Sequence, residues 1–82
     1  MNWLKYRWEK RQRYYEVHVH QDLWSNWVVT RIWGGRNTRL GRFKDDPCGS
    51  YEDALDKLHR IGKRRLQRGY SSVSEKRDEN LT

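Results

Sequence analysis

Residues 27–43 read WVVTRIWGGRNTRLGRF, and the architecture of the chain is most readily inferred from this stretch. Two runs rich in β-branched and aromatic residues flank the tetrapeptide GGRN at positions 34–37. Because Gly and Asn adopt positive φ at low cost, the tetrapeptide predicts a tight reversal of the chain. We therefore expect a β-hairpin with strands at 27–33 and 38–44 and its turn at residues 34–37.

An aromatic side chain and several guanidinium groups lie close to the predicted turn. Trp33 directly precedes it, and Arg31, Arg36, Arg39 and Arg42 are spread along the hairpin. A guanidinium fork suits phosphate oxygens, and an indole ring that protrudes into water can stack on a nucleotide. The alternatives are that Trp33 is a core residue and that the arginines only keep a strand edge from aggregating.

Alternating residues predict further strands before the hairpin. In residues 13–20, Tyr15, Val17 and Val19 share one face, which we expect to be the core face. Residues 1–12 also alternate, and they are interpreted either as a first strand or as a frayed basic arm.

Two polar segments are predicted to connect these elements. Residues 21–26 (QDLWSN) lead into the hairpin, and we expect Leu23 and Trp24 to fold back as an apolar lid. Residues 45–49 (DDPCG) are interpreted as a turn after the hairpin.

A helix is predicted to start after Ser50, whose hydroxyl can accept the amide proton of Asp53. Gly69 stands where a left-handed helix C-cap belongs. On the helix, Lys57, Arg60 and Arg64 share a stripe that is either a solvated face or a phosphate track. The predicted apolar stripe contains Tyr51, Ala54, Leu55, Leu58, Ile61 and Leu66.

The sequence thus predicts an α+β fold in which a small antiparallel sheet of about four strands packs against one helix. Residues 1–70 are expected to form the folded domain. Residues 71–82 (SSVSEKRDENLT) are polar with almost no apolar anchor, and we expect them to be disordered.

The chain has 82 residues and a formal charge of +7, from 18 basic and 11 acidic residues. A small domain this basic attracts polyanions, of which nucleic acid is the most common in a cytoplasm. The only cysteine, Cys48, cannot form an internal disulfide, which suits a reducing compartment. No apolar run suits a signal peptide or a membrane span, so we expect a cytoplasmic protein, free or associated with the nucleoid, without a membrane partner. We also expect a monomer.

No motif of an enzyme active site is present. The sequence lacks a Gly-rich phosphate loop with its Lys, a paired-carboxylate pattern and a Ser/His/Asp motif. His18 and His20 would point to the same side of a strand, but without a second ligand pair they are weak evidence for a metal. We expect no catalysis, no cofactor and no metal site.

The order of these segments resembles the WGR domain, above all that of bacterial WGR proteins. The resemblance covers residues 14–70 and rests on YYEVHVHQDLWSNWVVTRIWGG, TRLGRF and SYEDALDKLHRIGKRRLQRGY. Trp33 and Gly34 match the first two motif residues, Gly35 stands at the motif Arg position, and Arg36 follows one residue later. The resemblance implies a sheet with a packed helix, DNA binding near a break, and stacking of Trp33 on the sugar at a 5′ end. The ADP-ribosylation activity of the WGR-containing polymerases does not carry over, because no transferase domain is recognisable here.

We therefore expect a small DNA-binding module, with binding at strand ends or nicks as the more specific hypothesis. The alternative is a protein-interaction adaptor in which Trp24, Trp27 and Trp33 form an aromatic patch for an acidic partner. The predicted nucleic-acid contacts are Trp33, Arg31, Arg36, Arg39, Arg42, Lys44 and Arg64.

Overall fold

A five-stranded antiparallel sheet carries one helix on one of its faces. The computed structural model describes residues 3–38 and 41–78. The strands are arranged in the order β4-β3-β2-β1-β5. The α+β prediction is confirmed, with five strands where about four were expected. The elements are β1 (Trp3–Lys10), β2 (Arg13–Gln21), β3 (Trp27–Gly35), β4 (Gly41–Cys48), α1 (Tyr51–Gln67) and β5 (Ser71–Asp78).

The segment after the helix forms a strand rather than the disordered tail that its composition suggested. β5 pairs antiparallel with β1, from Ser71 opposite Glu9 to Asp78 opposite Trp3. Its side chains through residue 75 are exposed, so backbone hydrogen bonds to β1 hold it rather than burial of apolar groups. β1 is thus a strand with a neighbour on each side and not a frayed arm. Residues 79–82 of the predicted tail lie outside the described residues.

The hairpin is longer than predicted and shifted along the chain. β3 continues through Gly35, and β4 runs from Gly41 to Cys48. The residues expected to form a turn at 45–49 therefore lie mostly within β4. Pro47 is tolerated there because β4 is an edge strand, where a missing backbone donor breaks no interior ladder. Arg39 and Leu40 lie outside the described residues.

The core lies between the helix and one face of the sheet. Strand alternation points Tyr15, Val17 and Val19 of β2 to this face, as predicted, and all three are buried. Trp8 of β1 is also buried and lies under Gly62, where an added Cβ would come within 3.2 Å of its ring. The other buried members of the core are Leu4, Val29, Ala54 and Leu58.

Both helix ends are capped as the sequence predicted. The Ser50 hydroxyl accepts a hydrogen bond from the Asp53 amide at 3.1 Å. At the other end Gly69 adopts φ +88°, and its amide donates to Leu66 O while the Tyr70 amide donates to Arg65 O. This is the left-handed termination that turns the chain towards β5.

The β2–β3 loop holds its apolar residues outward, contrary to the expected lid. Leu23 is 93% exposed and Trp24 is 77% exposed. The Asp22 carboxylate accepts the amides of Asn26 and Trp24, each at 2.9 Å, and so fixes the loop. These hydrogen bonds, that from Asn26 first, hold the pKa of Asp22 below its usual range. Hydrogen bonds within the loop therefore hold its shape, and the loop does not fold onto the core.

Candidate nucleic-acid interface

The alternation of β3 places its arginine and both of its tryptophans on the helix side of the sheet. Val29, Arg31 and Trp33 share this side, because Val29 is part of the core. Across the hairpin, Lys44 pairs with Arg31 and Arg42 pairs with Trp33. The cations of β3 and β4 therefore face the same side of the sheet as α1.

Between the helix and the β3–β4 hairpin lies a cleft with a strongly positive lining, which we call the basic cleft. Two of its cations come from the strands and four from the helix. Asp46 is the only acid that lines it among the residues that the structure describes, and Tyr15 and Ile61 form its apolar floor. The basic residues of the cleft are Arg31, Lys44, Lys57, Arg60, Arg64 and Arg65.

Acidic partners neutralise only part of this charge. Asp46 lies 3.0 Å from Arg31 Nη2 and 4.0 Å from Lys44 Nζ, so one carboxylate serves two cations. Arg60 pairs with Asp56 at 3.1 Å, but both side chains are about two-thirds exposed. Exposed pairs of this kind are worth little, and phosphate oxygens can compete for the guanidinium. In the part of the chain that the structure describes, Lys57 and Arg64 form no ion pair.

A second, smaller cleft, the aromatic cleft, adjoins the basic cleft. Trp33 stacks on Tyr15, with 5.9 Å between ring centroids and 15° between ring planes. Trp33 is half-buried, so its ring does not protrude freely into water as the sequence suggested, nor is it sealed inside the protein. Arg65 lies over the rings of Tyr15 and Tyr70 at 4.2 and 5.1 Å. Because Arg65 and Tyr15 line both clefts, the two form one continuous surface.

The hairpin arginines do not form the single cluster expected at its tip. Arg31 lies in the basic cleft, whereas Arg42 is exposed on the edge strand. Arg36 lies near the β1–β2 turn, because its amide donates to Gln12 O at 2.6 Å and its side chain lies 3.6 Å from Glu9. Arg39 lies outside the described residues.

The remaining predicted contacts line the basic cleft, and so do cationic residues that were not predicted to contact nucleic acid. Lys44 and Arg64 lie in the basic cleft, with Lys57 and Arg60, which the sequence left open as a solvated face. Arg65 was missed. Its position four residues after Ile61, on the core-facing side of the helix, was the signal that could have found it.

The opposite face of the sheet is a different kind of surface, with its charges paired. Arg7 forms ion pairs with Glu9 and Glu16, and His18 lies 2.9 Å from Glu16. Burial opposes ionisation of Glu16, but hydrogen bonds from His18 and Arg7 outweigh it, so the pKa of this carboxyl lies below its usual range. This face offers a polyanion few uncompensated cations.

The three tryptophans of the proposed adaptor patch do not form one exposed surface. Trp27 packs on Tyr51 at 4.6 Å between ring centroids, and Trp33 packs on Tyr15. Only Trp24 is exposed. Among residues 3–38 and 41–78, no group of three or more His, Cys, Asp or Glu side chains is arranged to hold a metal ion. In the same residues, no helix has the length and apolar character needed to cross a membrane.

The family model of the WGR domain matches residues 3–77. This span contains the helix and nearly all of the five strands, including most of β5, so the matched unit extends beyond the boundary predicted at residue 70. Neither a curated protein nor a solved structure matches the chain.

Proposed function

We propose, from the premise that this chain belongs to the WGR domain family, that it binds DNA through the basic cleft. The family is one of nucleic-acid-binding modules. The observation that carries the proposal is the lining of the cleft, with six cations and one carboxylate. A polyanion entering it exchanges its condensed counterions for these side chains, and the release of those ions favours binding.

The two walls of the basic cleft would contact the phosphates in different ways. Arg60 and Arg64 are exposed on the helix and can follow the backbone with long side chains. Arg31 is more restricted, because Asp46 orients its guanidinium. Its Nε is buried and has no hydrogen-bond partner among the described residues. A phosphate oxygen that reached this nitrogen would satisfy a donor that is otherwise left unpaired.

The aromatic cleft supports the more specific hypothesis of binding at strand ends or nicks. An internal nucleotide is stacked between its neighbours, whereas a terminal one exposes a sugar and a base face. Trp33 is held by Tyr15 in one orientation, so little conformational entropy is lost when a nucleotide packs against it. Arg65 supplies a cation beside these rings, a role that Arg36 cannot fill from its position near Glu9.

We therefore expect DNA with ends or nicks to bind more tightly than closed circular DNA. Stacking of one nucleotide contributes about 1–3 kcal/mol, which corresponds to a preference of roughly 5- to 150-fold. The measurement is competition binding of 5′-phosphorylated linear, nicked and closed circular DNA at several salt concentrations. Trp33→Leu should reduce the preference while leaving the affinity for closed circles nearly unchanged.

Arg36→Gln is the matched control, because the proposal gives Arg36 no contact with DNA. Its preference for ends should equal that of the unmodified protein. Equal binding of the three DNA forms would leave only non-specific affinity and would remove the aromatic cleft from the proposed interface.

A further inference from the structure

The continuous surface of the basic and aromatic clefts changes in character along its length. The basic cleft has a volume of about 560 Å³ and is lined mainly by cations, whereas the aromatic cleft has a volume of about 380 Å³ and is lined mainly by rings and glycines. Both volumes lie within the range of about 300–1,000 Å³ usual for sites that hold a drug-sized ligand. Each cleft therefore has room for a group of the size of a nucleotide.

The aromatic cleft has the features of a site for an unpaired base. The rings of Trp33 and Tyr70 line it, and Tyr15 fixes the orientation of the Trp33 ring by stacking on it. Gly34 and Gly35 line the same cleft without side chains, which leaves room for a planar group beside the indole. Every base has a π-face, so rings of this kind accept a base of any sequence.

Two guanidinium groups accompany these rings. Arg65 lies over Tyr15, where the aromatic cleft meets the basic cleft. Arg13 lies two residues away from Tyr15 along β2, on the same face of the sheet, and lines the part of the cleft near Gly35. Arg13 is exposed, and it forms no ion pair within residues 3–38 and 41–78. No acidic side chain of the described residues lines this cleft, so phosphates on either side of a stacked base would each meet a cation.

The depth of Trp33 determines which form of DNA can use the aromatic cleft. Its ring is half-buried against Tyr15, so a base has to enter the cleft to reach it. A base within a duplex is paired and stacked, and its removal from the duplex costs free energy, whereas an unpaired base bears the least of this cost. The phosphates of a duplex can still contact Arg60 and Arg64, which are exposed on the helix.

We infer that the two clefts together bind a single-stranded segment of DNA that adjoins a duplex, such as an overhang or the unpaired strand of a gap. The phosphates of the segment follow the basic cleft, and one of its bases stacks on Trp33. A positively charged groove that leads to aromatic side chains is the arrangement by which proteins hold single strands without sequence preference. The inference rests on the proposed function, because it takes DNA binding by the basic cleft as given, and it adds the strand state of the preferred DNA.

The first test compares one duplex with three kinds of end. The ends are blunt, or carry an overhang of about four thymidine nucleotides, or carry an overhang of about four abasic nucleotides, in both polarities. The abasic overhang has the same phosphates without bases, so it separates stacking from charge. In at least one polarity, the thymidine overhang should bind about 5- to 150-fold more tightly than the abasic one. Fluorescence anisotropy at constant salt measures the three affinities.

The second test assigns the gain to residues of the aromatic cleft. Trp33→Leu should remove most of the difference between thymidine and abasic overhangs. Trp24→Leu is the matched control, because Trp24 is 77% exposed and lines neither cleft, and it should keep the full difference. Arg13→Gln changes an exposed side chain, so the fold should be preserved, and it should weaken binding of both overhangs about 10-fold relative to the blunt duplex. Circular dichroism checks the fold of each variant.

Three outcomes would overturn the inference and leave the proposed function intact. The duplex could bind while thymidine and abasic overhangs of both polarities bind equally. The difference could survive in folded Trp33→Leu, or Arg13→Gln could bind the overhangs as tightly as the unmodified protein does. Failure of every DNA form to bind would instead overturn the proposed function, and the inference with it.

Discussion

Replacing Arg60 and Arg64 together with Gln should lower the affinity for a short DNA duplex about 100-fold at roughly 0.1 M salt. Each side chain would neutralise one phosphate, and each lost contact removes about one unit from the slope of log K against log salt. The slope should therefore fall by about two. Both positions are exposed on the helix, and Gln is a good helix former, so the fold should be preserved. The measurement is fluorescence anisotropy with a labelled duplex over a salt series.

The control variant removes two charges of the same sign elsewhere. Lys5 and Arg11 are exposed, and neither lines the basic cleft. Lys5→Gln with Arg11→Gln changes the net charge of the protein equally, so any loss that it causes measures long-range attraction alone. We expect a change of less than about threefold. If the two double variants lost affinity equally, net charge rather than the cleft would explain the binding.

Trp8→Ala should destabilise the domain by about 3–5 kcal/mol. Trp8 is 4% exposed and contacts both the sheet and the helix, through Tyr15 and Gly62, so the substitution leaves a cavity at the centre of the core. A domain of this length has a total stability of about 4–12 kcal/mol, so the substitution should remove from about a quarter to all of that stability. Urea denaturation followed by circular dichroism measures the loss.

Trp24→Ala is the matched substitution at an exposed tryptophan. It should change the free energy of unfolding by less than about 0.5 kcal/mol, because Trp24 contributes almost nothing to the core. A similar loss for both variants would mean that the core assignment of Trp8 is wrong.

The sequence predicted the elements whose residues alternate or are capped. The apolar face of β2 and the caps at Ser50 and Gly69 follow from local patterns, because side-chain alternation and terminal hydrogen bonds are local properties. β5 could not be predicted in this way. All of its residues except Val73 are polar. It is a strand because the edge of β1 is available to it, which is a property of the assembled sheet.

The candidate site likewise combines residues that the sequence could identify with an arrangement that depends on tertiary packing. Arg31, Lys44 and Arg64 could be predicted as phosphate contacts from their charge and from the hairpin and helix. Their arrangement in one cleft depends on the register of β3 against β4 and on the packing of α1 across the sheet. Arg36 is close to Trp33 and Gly34 in sequence, but its hydrogen bonds draw it to the β1–β2 turn instead. Proximity in sequence therefore did not place its side chain in the aromatic cleft.

The most direct measurement is an NMR titration of the isotope-labelled protein with a short 5′-phosphorylated duplex. If DNA occupies the basic cleft, the largest shift changes should fall on Arg31, Lys44, Arg60 and Arg64, with smaller changes at Trp33 when the terminal nucleotide stacks there. Residues of the opposite face of the sheet, such as His18, should change little. Shift changes centred on that opposite face, or none anywhere at saturating DNA, would contradict the proposal that this cleft binds nucleic acid.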